Sequence, residues 1–181
     1  LSRPNARSAW YPMGMDVFQP SPDACGWHNC EATIRGASGG SPVPRANWGY
    51  ANSALSACAN GPHGAEWTAL GSCANPRLDI DNINCDPAIT DIEDGDYCVP
   101  ENINIDFPPA NKWMRVGVHY FSNHSYSGQI KPVVKIYCDG KLSAELGNHG
   151  YYTPEADVVW TASENDKFWP VADVVFLKDQ C

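Results

Sequence analysis

Eight cysteines (Cys25, Cys30, Cys58, Cys73, Cys85, Cys98, Cys138 and Cys181) and five histidines (His28, His63, His119, His124 and His149) are the residues of this chain best suited to bind a soft metal, attack a substrate or cross-link the backbone. Their spacing separates these options. A structural zinc site takes two short Cys/His pairs, with about two to four residues between the ligands. Among the cysteines only Cys25 and Cys30 come near that spacing, and no second cysteine pair matches it. An even number of cysteines in a short chain fits paired thiols in an oxidising compartment. Eight cysteines permit about 105 connectivities, which sequence cannot choose among. The expectation here is sequential pairing: Cys25–Cys30, Cys58–Cys73 and Cys85–Cys98 as local clips, and Cys138–Cys181 closing the longest loop. On the loop-entropy account the longest loop constrains the unfolded chain most.

Pairing also removes thiolates from the ligand pool, so a soft metal must depend on nitrogen. None of the histidines lies in an HExxH zinc motif, and the GxSxG signature of serine hydrolases is absent. Paired carboxylates are present, but nothing distinguishes a glycosidase pair from cation ligands. The reading is a binding protein rather than an enzyme.

Acidic and amide residues gather between residues 78 and 106, in Leu78-Asp-Ile-Asp-Asn-Ile-Asn-Cys-Asp86, Thr90-Asp-Ile-Glu-Asp-Gly-Asp-Tyr-Cys98 and Glu101-Asn-Ile-Asn-Ile-Asp106. Strand alternation puts Asp79 and Asp81 on one face. Calcium takes about six to eight oxygen ligands from carboxylates, amides and carbonyls. Asp79, Asp81, Asp94, Asp96 and Glu101 are the candidate ligands, although the 12-residue order of an EF-hand is missing. A solvated acidic loop clipped by Cys85–Cys98 explains the same composition, and both readings stay open.

The elements that must position these groups divide near residue 77. Residues 1–77 are rich in Gly, Pro, Ser, Ala and Asn and read as an irregular, disulfide-clipped lobe. Trp10, Tyr11, Phe18, Trp27, Trp48, Tyr50 and Trp67 give that lobe aromatic surface to bury. A short helix is expected around residues 48–59, with Asn52 or Ser53 as its cap. Residues 78–181 read as strands: 114–121, 133–138, 141–146, 157–161 and 169–177. Asp139-Gly140 forms a hairpin turn between the second and third of these. Short strands separated by turn residues, with no βαβ alternation, predict a mainly β fold. Its expected form is an antiparallel β-sandwich carrying the N-terminal lobe.

The net charge of −9, with no cluster of Lys or Arg, argues against nucleic acid and for cations as partners. No stretch approaches the roughly 18 apolar residues of a transmembrane helix. The opening Leu-Ser-Arg-Pro has no basic segment followed by an apolar one, which reads as a mature exported chain.

Leu78-Asp-Ile-Asp, Pro100-Glu-Asn-Ile-Asn-Ile, Arg115-Val-Gly-Val-His-Tyr-Phe and Val134-Lys-Ile-Tyr resemble, in order, a β-sandwich module of exported bacterial proteins. That resemblance bears on fold, because such modules serve as accessory domains of many functions. A cysteine-rich N-terminal lobe, many tryptophans and the Val-His-Tyr strand together resemble the copper-binding surface proteins of methanotrophic bacteria, the MopE and CorA family. The resemblance implies a secreted or cell-surface protein, on the exterior of the outer membrane and near other surface proteins, with a role in copper acquisition. It also implies one copper(I) ion held by two histidines and a tryptophan oxidised to kynurenine. Carried onto this chain, those ligands are His63, Trp67 and His119, with Trp27-His28 as a rival pair. A strand histidine such as His119 is also a common structural residue, and tryptophans usually serve in packing. The alternative is an accessory module that binds carbohydrate, with Tyr151 and Tyr152 as stacking residues, or a surface partner, with structural calcium only.

Overall fold

The computed structural model describes residues 1, 23–27, 29–33, 44–48, 54–80, 89, 100–122, 127–147, 158–161, 163 and 167–177. Within them the chain is mostly β, and its strand pairs are antiparallel. One α-helix, α1 (Gly64–Leu70), precedes six strands: β1 (Arg77–Ile80), β2 (Asn102–Asn104), β3 (Lys112–Tyr120), β4 (Val133–Cys138), β5 (Lys141–Gly147) and β6 (Lys167–Phe176). They form three two-stranded ribbons, β1–β2, β3–β6 and β4–β5.

The β4–β5 hairpin follows from its turn. Asp139 and Gly140 both take positive φ (49° and 72°), the backbone that a two-residue hairpin loop requires. β3 and β6 pair over the full length of β3, from Lys112 opposite Phe176 to Tyr120 opposite Lys167. Met114 and Val174 face each other there and are both buried. A bulge between Val116 and Gly117 shifts the register, so that Gly117 faces Pro170 and His119 faces Phe168. The Phe168 ring lies over Gly117 where any β-carbon would collide with it, which explains a glycine inside a strand. Of the expected strand at 157–161, the described residues 158–161 form a single antiparallel bridge, Trp160 with Ile130, and Trp160 stacks flat on Tyr120 (centroids 5.1 Å, planes 2° apart).

The N-terminal lobe contributes to two small cores, of which one joins it to the strands and the other is internal to it. One holds the Cys25–Cys30 disulfide with Ala46, Trp48, Leu78 and Met114, so it joins the lobe to β1 and β3. The other surrounds Trp67 with the Cys58–Cys73 disulfide, Ala32 and Ala74. Both disulfides are among the pairs expected from sequence. Cys138 is also disulfide-bonded; Cys85, Cys98 and Cys181 lie outside the described residues.

The helix expected around 48–59 is corrected. Trp48 is not helical and donates its N–H to Asn75 O at 2.7 Å, and among the described residues of that stretch (48 and 54–59) the only helical element is a 3-10 turn, Leu55–Ala57. The α-helix comes later, at Gly64–Leu70. The expected boundary near residue 77 falls at the first residue of β1, and hydrogen bonding runs across it: Leu78 N–H donates to Cys30 O at 2.9 Å.

Candidate functional site

The site grows from α1. His63 stands at its N-terminal boundary in the left-handed conformation (φ 58°, ψ 22°), and Gly71 ends it in the same region (φ 75°). Gly64 is required because a β-carbon would run into the carbonyl of Ala59. Trp67 N–H donates to His63 O at 3.0 Å, so the two residues stand one turn apart on one side of the helix. The His63 side chain is largely exposed and lies 3.8 Å from Glu66 through Nδ1. Trp67 is its opposite: 1% exposed, walled by Ala32, Cys58, Cys73 and Ala74, with a buried Nε1 that has no hydrogen-bond partner among the described residues.

Above the Trp67 ring lies a cation. The Arg45 guanidinium is 5.4 Å from the ring centroid, and its N–H groups donate to the carbonyls of Glu31 and Ala32. Burial pushes the Arg45 pKa down. A positive charge over the indole face opposes a second cation on that face.

His119 is held elsewhere. Its ring meets Phe121 edge-on at 6.1 Å, and Phe121 meets Trp27 of the Cys25–Cys30 clip at 6.2 Å. The strand histidine is thereby associated with the rival tryptophan, while His63 and Trp67 are joined through α1; His28 lies outside the described residues. Among the described residues, no three His, Cys, Asp or Glu side chains gather to hold a metal. A site of two imidazoles and one modified aromatic contains only two residues of those types.

Of the acidic candidates, Asp79 has compensation already. It lies 3.6 Å from the buried Arg77 and accepts from the side-chain amides of Asn102 (3.1 Å) and Asn104. Burial raises its pKa, and Asp106 adds to the rise; Arg77, the Asn102 hydrogen bond and His63 pull it down. Arg77 also holds Asp106 at 2.5 Å and donates to Ala57 O, which fastens β1 to the lobe. Glu101 is exposed just before β2. Asp81, Asp94 and Asp96 lie outside the described residues, as do His124, His149, Tyr151 and Tyr152. No helix among the described residues is long and apolar enough to cross a membrane.

The Arg45–Trp67 pairing was not anticipated from the sequence. Its residues are 22 positions apart (67 − 45), and neither belongs to a short motif.

Comparison with known proteins found no matching family model, no matching curated protein and no matching solved structure.

Proposed function

We propose that the chain is an exported metal-binding protein that holds one copper(I) ion through His63, His119 and an oxidised Trp67. The observation that supports this reading most is the orphaned Nε1 of Trp67. A buried N–H without a partner costs about 1–3 kcal/mol, and such groups in native proteins call for an explanation. Indole N–H only donates, so an intact tryptophan cannot be a nitrogen ligand. Dioxygen and water would convert Trp67 to kynurenine with loss of formate, a net gain of one oxygen and loss of one carbon. The product carries an aromatic amine one helical turn from His63. Copper(I) accepts low coordination by nitrogen, and the disulfide-bonded cysteines offer it no thiolate. Glu66 beside His63 Nδ1 is suited to orient that imidazole.

The ribbons are read as two layers of a sandwich, supported by the alternating burial along β4. The disulfides suit an oxidising, extracellular setting, and copper acquisition at a cell surface is the role that fits a small acidic binder there. Calcium is a companion proposal. With Asp79 compensated by Arg77 and two amides, its ligands would come chiefly from Asp81, Asp94, Asp96 and Glu101.

X-ray absorption at the copper edge tests the ligand set. The expected first shell is nitrogen or oxygen alone, with imidazole scattering; a sulfur shell would overturn the reading.

A further inference from the structure

Between the 3-10 turn and α1 the chain runs Ala59-Asn60-Gly61-Pro62-His63, and here alone in the sequence an asparagine is followed by glycine. Such a pair can react with itself, because glycine has no β-carbon to crowd the approach of its nitrogen or to restrict the backbone. Asn60, Gly61, Pro62 and His63 are all exposed, so water reaches the pair. Gly61 N–H donates to Cys58 O at 3.1 Å, a hydrogen bond of an exposed turn, and such bonds open locally with little free energy. Other asparagines are placed differently. Asn29 and Asn75 are buried with their side-chain amides bonded to backbone carbonyls, and Pro76 after Asn75 has no N–H to give. Asn102 and Asn104 donate to Asp79 and each precede a branched isoleucine. The segment that follows Asn60 is tightly built: a β-carbon on Gly64 would run into Ala59 O, so the chain from 59 to 64 closes on itself without slack.

We propose that Asn60 is a self-modifying site, converted to isoaspartate and aspartate, and that the isoaspartate form loosens the start of α1. In the first step the Gly61 nitrogen bonds to the side-chain carbonyl carbon of Asn60 and gives up its proton. The side-chain nitrogen leaves as ammonia, and a cyclic imide remains. Water then opens the ring. Attack at the side-chain carbonyl gives aspartate on the normal backbone; attack at the backbone carbonyl gives isoaspartate, in which the main chain runs through the former side chain. No atom changes oxidation state, and water is the one co-reactant. Aspartate adds a negative charge to an exposed turn. Isoaspartate also adds one carbon to the backbone, just where Ala59 and Gly64 meet without slack. This site goes beyond the copper reading and needs neither a metal nor a modified tryptophan.

The test incubates the full chain, disulfides intact, in mildly alkaline buffer and maps its peptides by mass over several weeks. Isoaspartate is labelled with an isoaspartate methyltransferase. The expected result is replacement of NH by O in the peptide that holds Asn60, with methyl labelling of that peptide. It should accumulate at least about tenfold faster than the same change at Asn102 or Asn104, where a side chain crowds the attacking nitrogen. Gly61→Ala should slow it at least about tenfold, since the added methyl group hinders attack. That variant is built to fold: its β-carbon would meet only Cys58 O, at an ordinary 3.6 Å. Equal rates at Asn60, Asn102 and Asn104 would overturn the proposal, as would an unchanged rate in Gly61→Ala. The isoaspartate fraction, separated by ion exchange, should unfold at lower denaturant than unmodified chain, whereas Asn60→Asp should match unmodified chain. Equal midpoints for all three would overturn the claim on α1, and so would equal losses in the isoaspartate fraction and Asn60→Asp. The wild-type incubation decides the chemistry without any variant, and its failure leaves the copper reading untouched.

Discussion

His63 and Trp67 are bound to each other through the backbone of α1, the carbonyl of the first accepting from the N–H of the second at 3.0 Å, yet one side chain is largely exposed and the other is 1% exposed. The pair therefore combines an exposed imidazole with an aromatic group fixed in a disulfide-lined core. That difference makes their substitutions separable.

Asn accepts the left-handed backbone of position 63 better than most residues do, and it caps helices well. His63→Asn is expected to leave stability within about 0.5 kcal/mol of wild type. Its copper content should fall to near zero, measured on refolded chain loaded with copper(I). Full copper retention would remove His63 from the ligand set.

Trp67 carries the packing of its core. Trp67→Ala is expected to cost about 3–5 kcal/mol in denaturant unfolding with the disulfides intact. Trp67→Phe keeps ring contacts with Ala32, Cys58, Cys73 and Ala74 and also removes an unpartnered N–H. Its cost should stay below about 1.5 kcal/mol. Equal losses in the two variants would mean that the indole nitrogen has a partner after all.

How far the sequence reached depends on how local each interaction is. Asp139-Gly140 names its own hairpin, because the turn demands positive φ and these two residues tolerate it. Cys25–Cys30 and Cys58–Cys73 close short loops and were readable for the same reason. β3 and β6 were each legible as strands, but their pairing joins residues from 47 (Tyr120 and Lys167) to 64 (Lys112 and Phe176) positions apart, and alternation does not name a partner. α1 was missed because Pro62 and Gly64 read as loop and no capping side chain precedes it; the glycine is there for contact with Ala59. Glu66 in the first turn and Gly71 just past the end were the available signals. The placement of Arg45 over Trp67 depends on how the lobe folds back, which no local pattern encodes.

Gly117 and Phe168 make a testable couple on the β3–β6 ribbon. Gly117→Ala places a methyl group into the Phe168 ring, at an expected cost of about 1–3 kcal/mol. Truncating the ring as well, in Gly117→Ala with Phe168→Ala, should remove most of that added penalty. A double-mutant cycle reads the coupling, expected at about 0.5–3 kcal/mol. Additive losses would show that the ring does not cover the glycine.

Asp79 sets a pH dependence of definite sign. Burial, the largest cause, raises its folded pKa above the ordinary 3.8, so the folded chain holds this proton more tightly than the unfolded chain. The group's contribution is most favourable at low pH and is lost as pH rises through the folded pKa. The Tm of wild type relative to Asp79→Asn should therefore fall as pH is raised from about 3.5 to 7. A relative Tm that climbs over that range would mean that Arg77 and the two asparagine amides outweigh burial.

Elemental analysis of the chain purified from its native source tests the copper claim most directly. The account predicts about one copper per chain, which holds copper(I) by nitrogen ligands. It also predicts that the peptide containing Trp67 carries one more oxygen and one less carbon than its sequence. Calcium as the sole bound metal, with Trp67 unmodified, would contradict it.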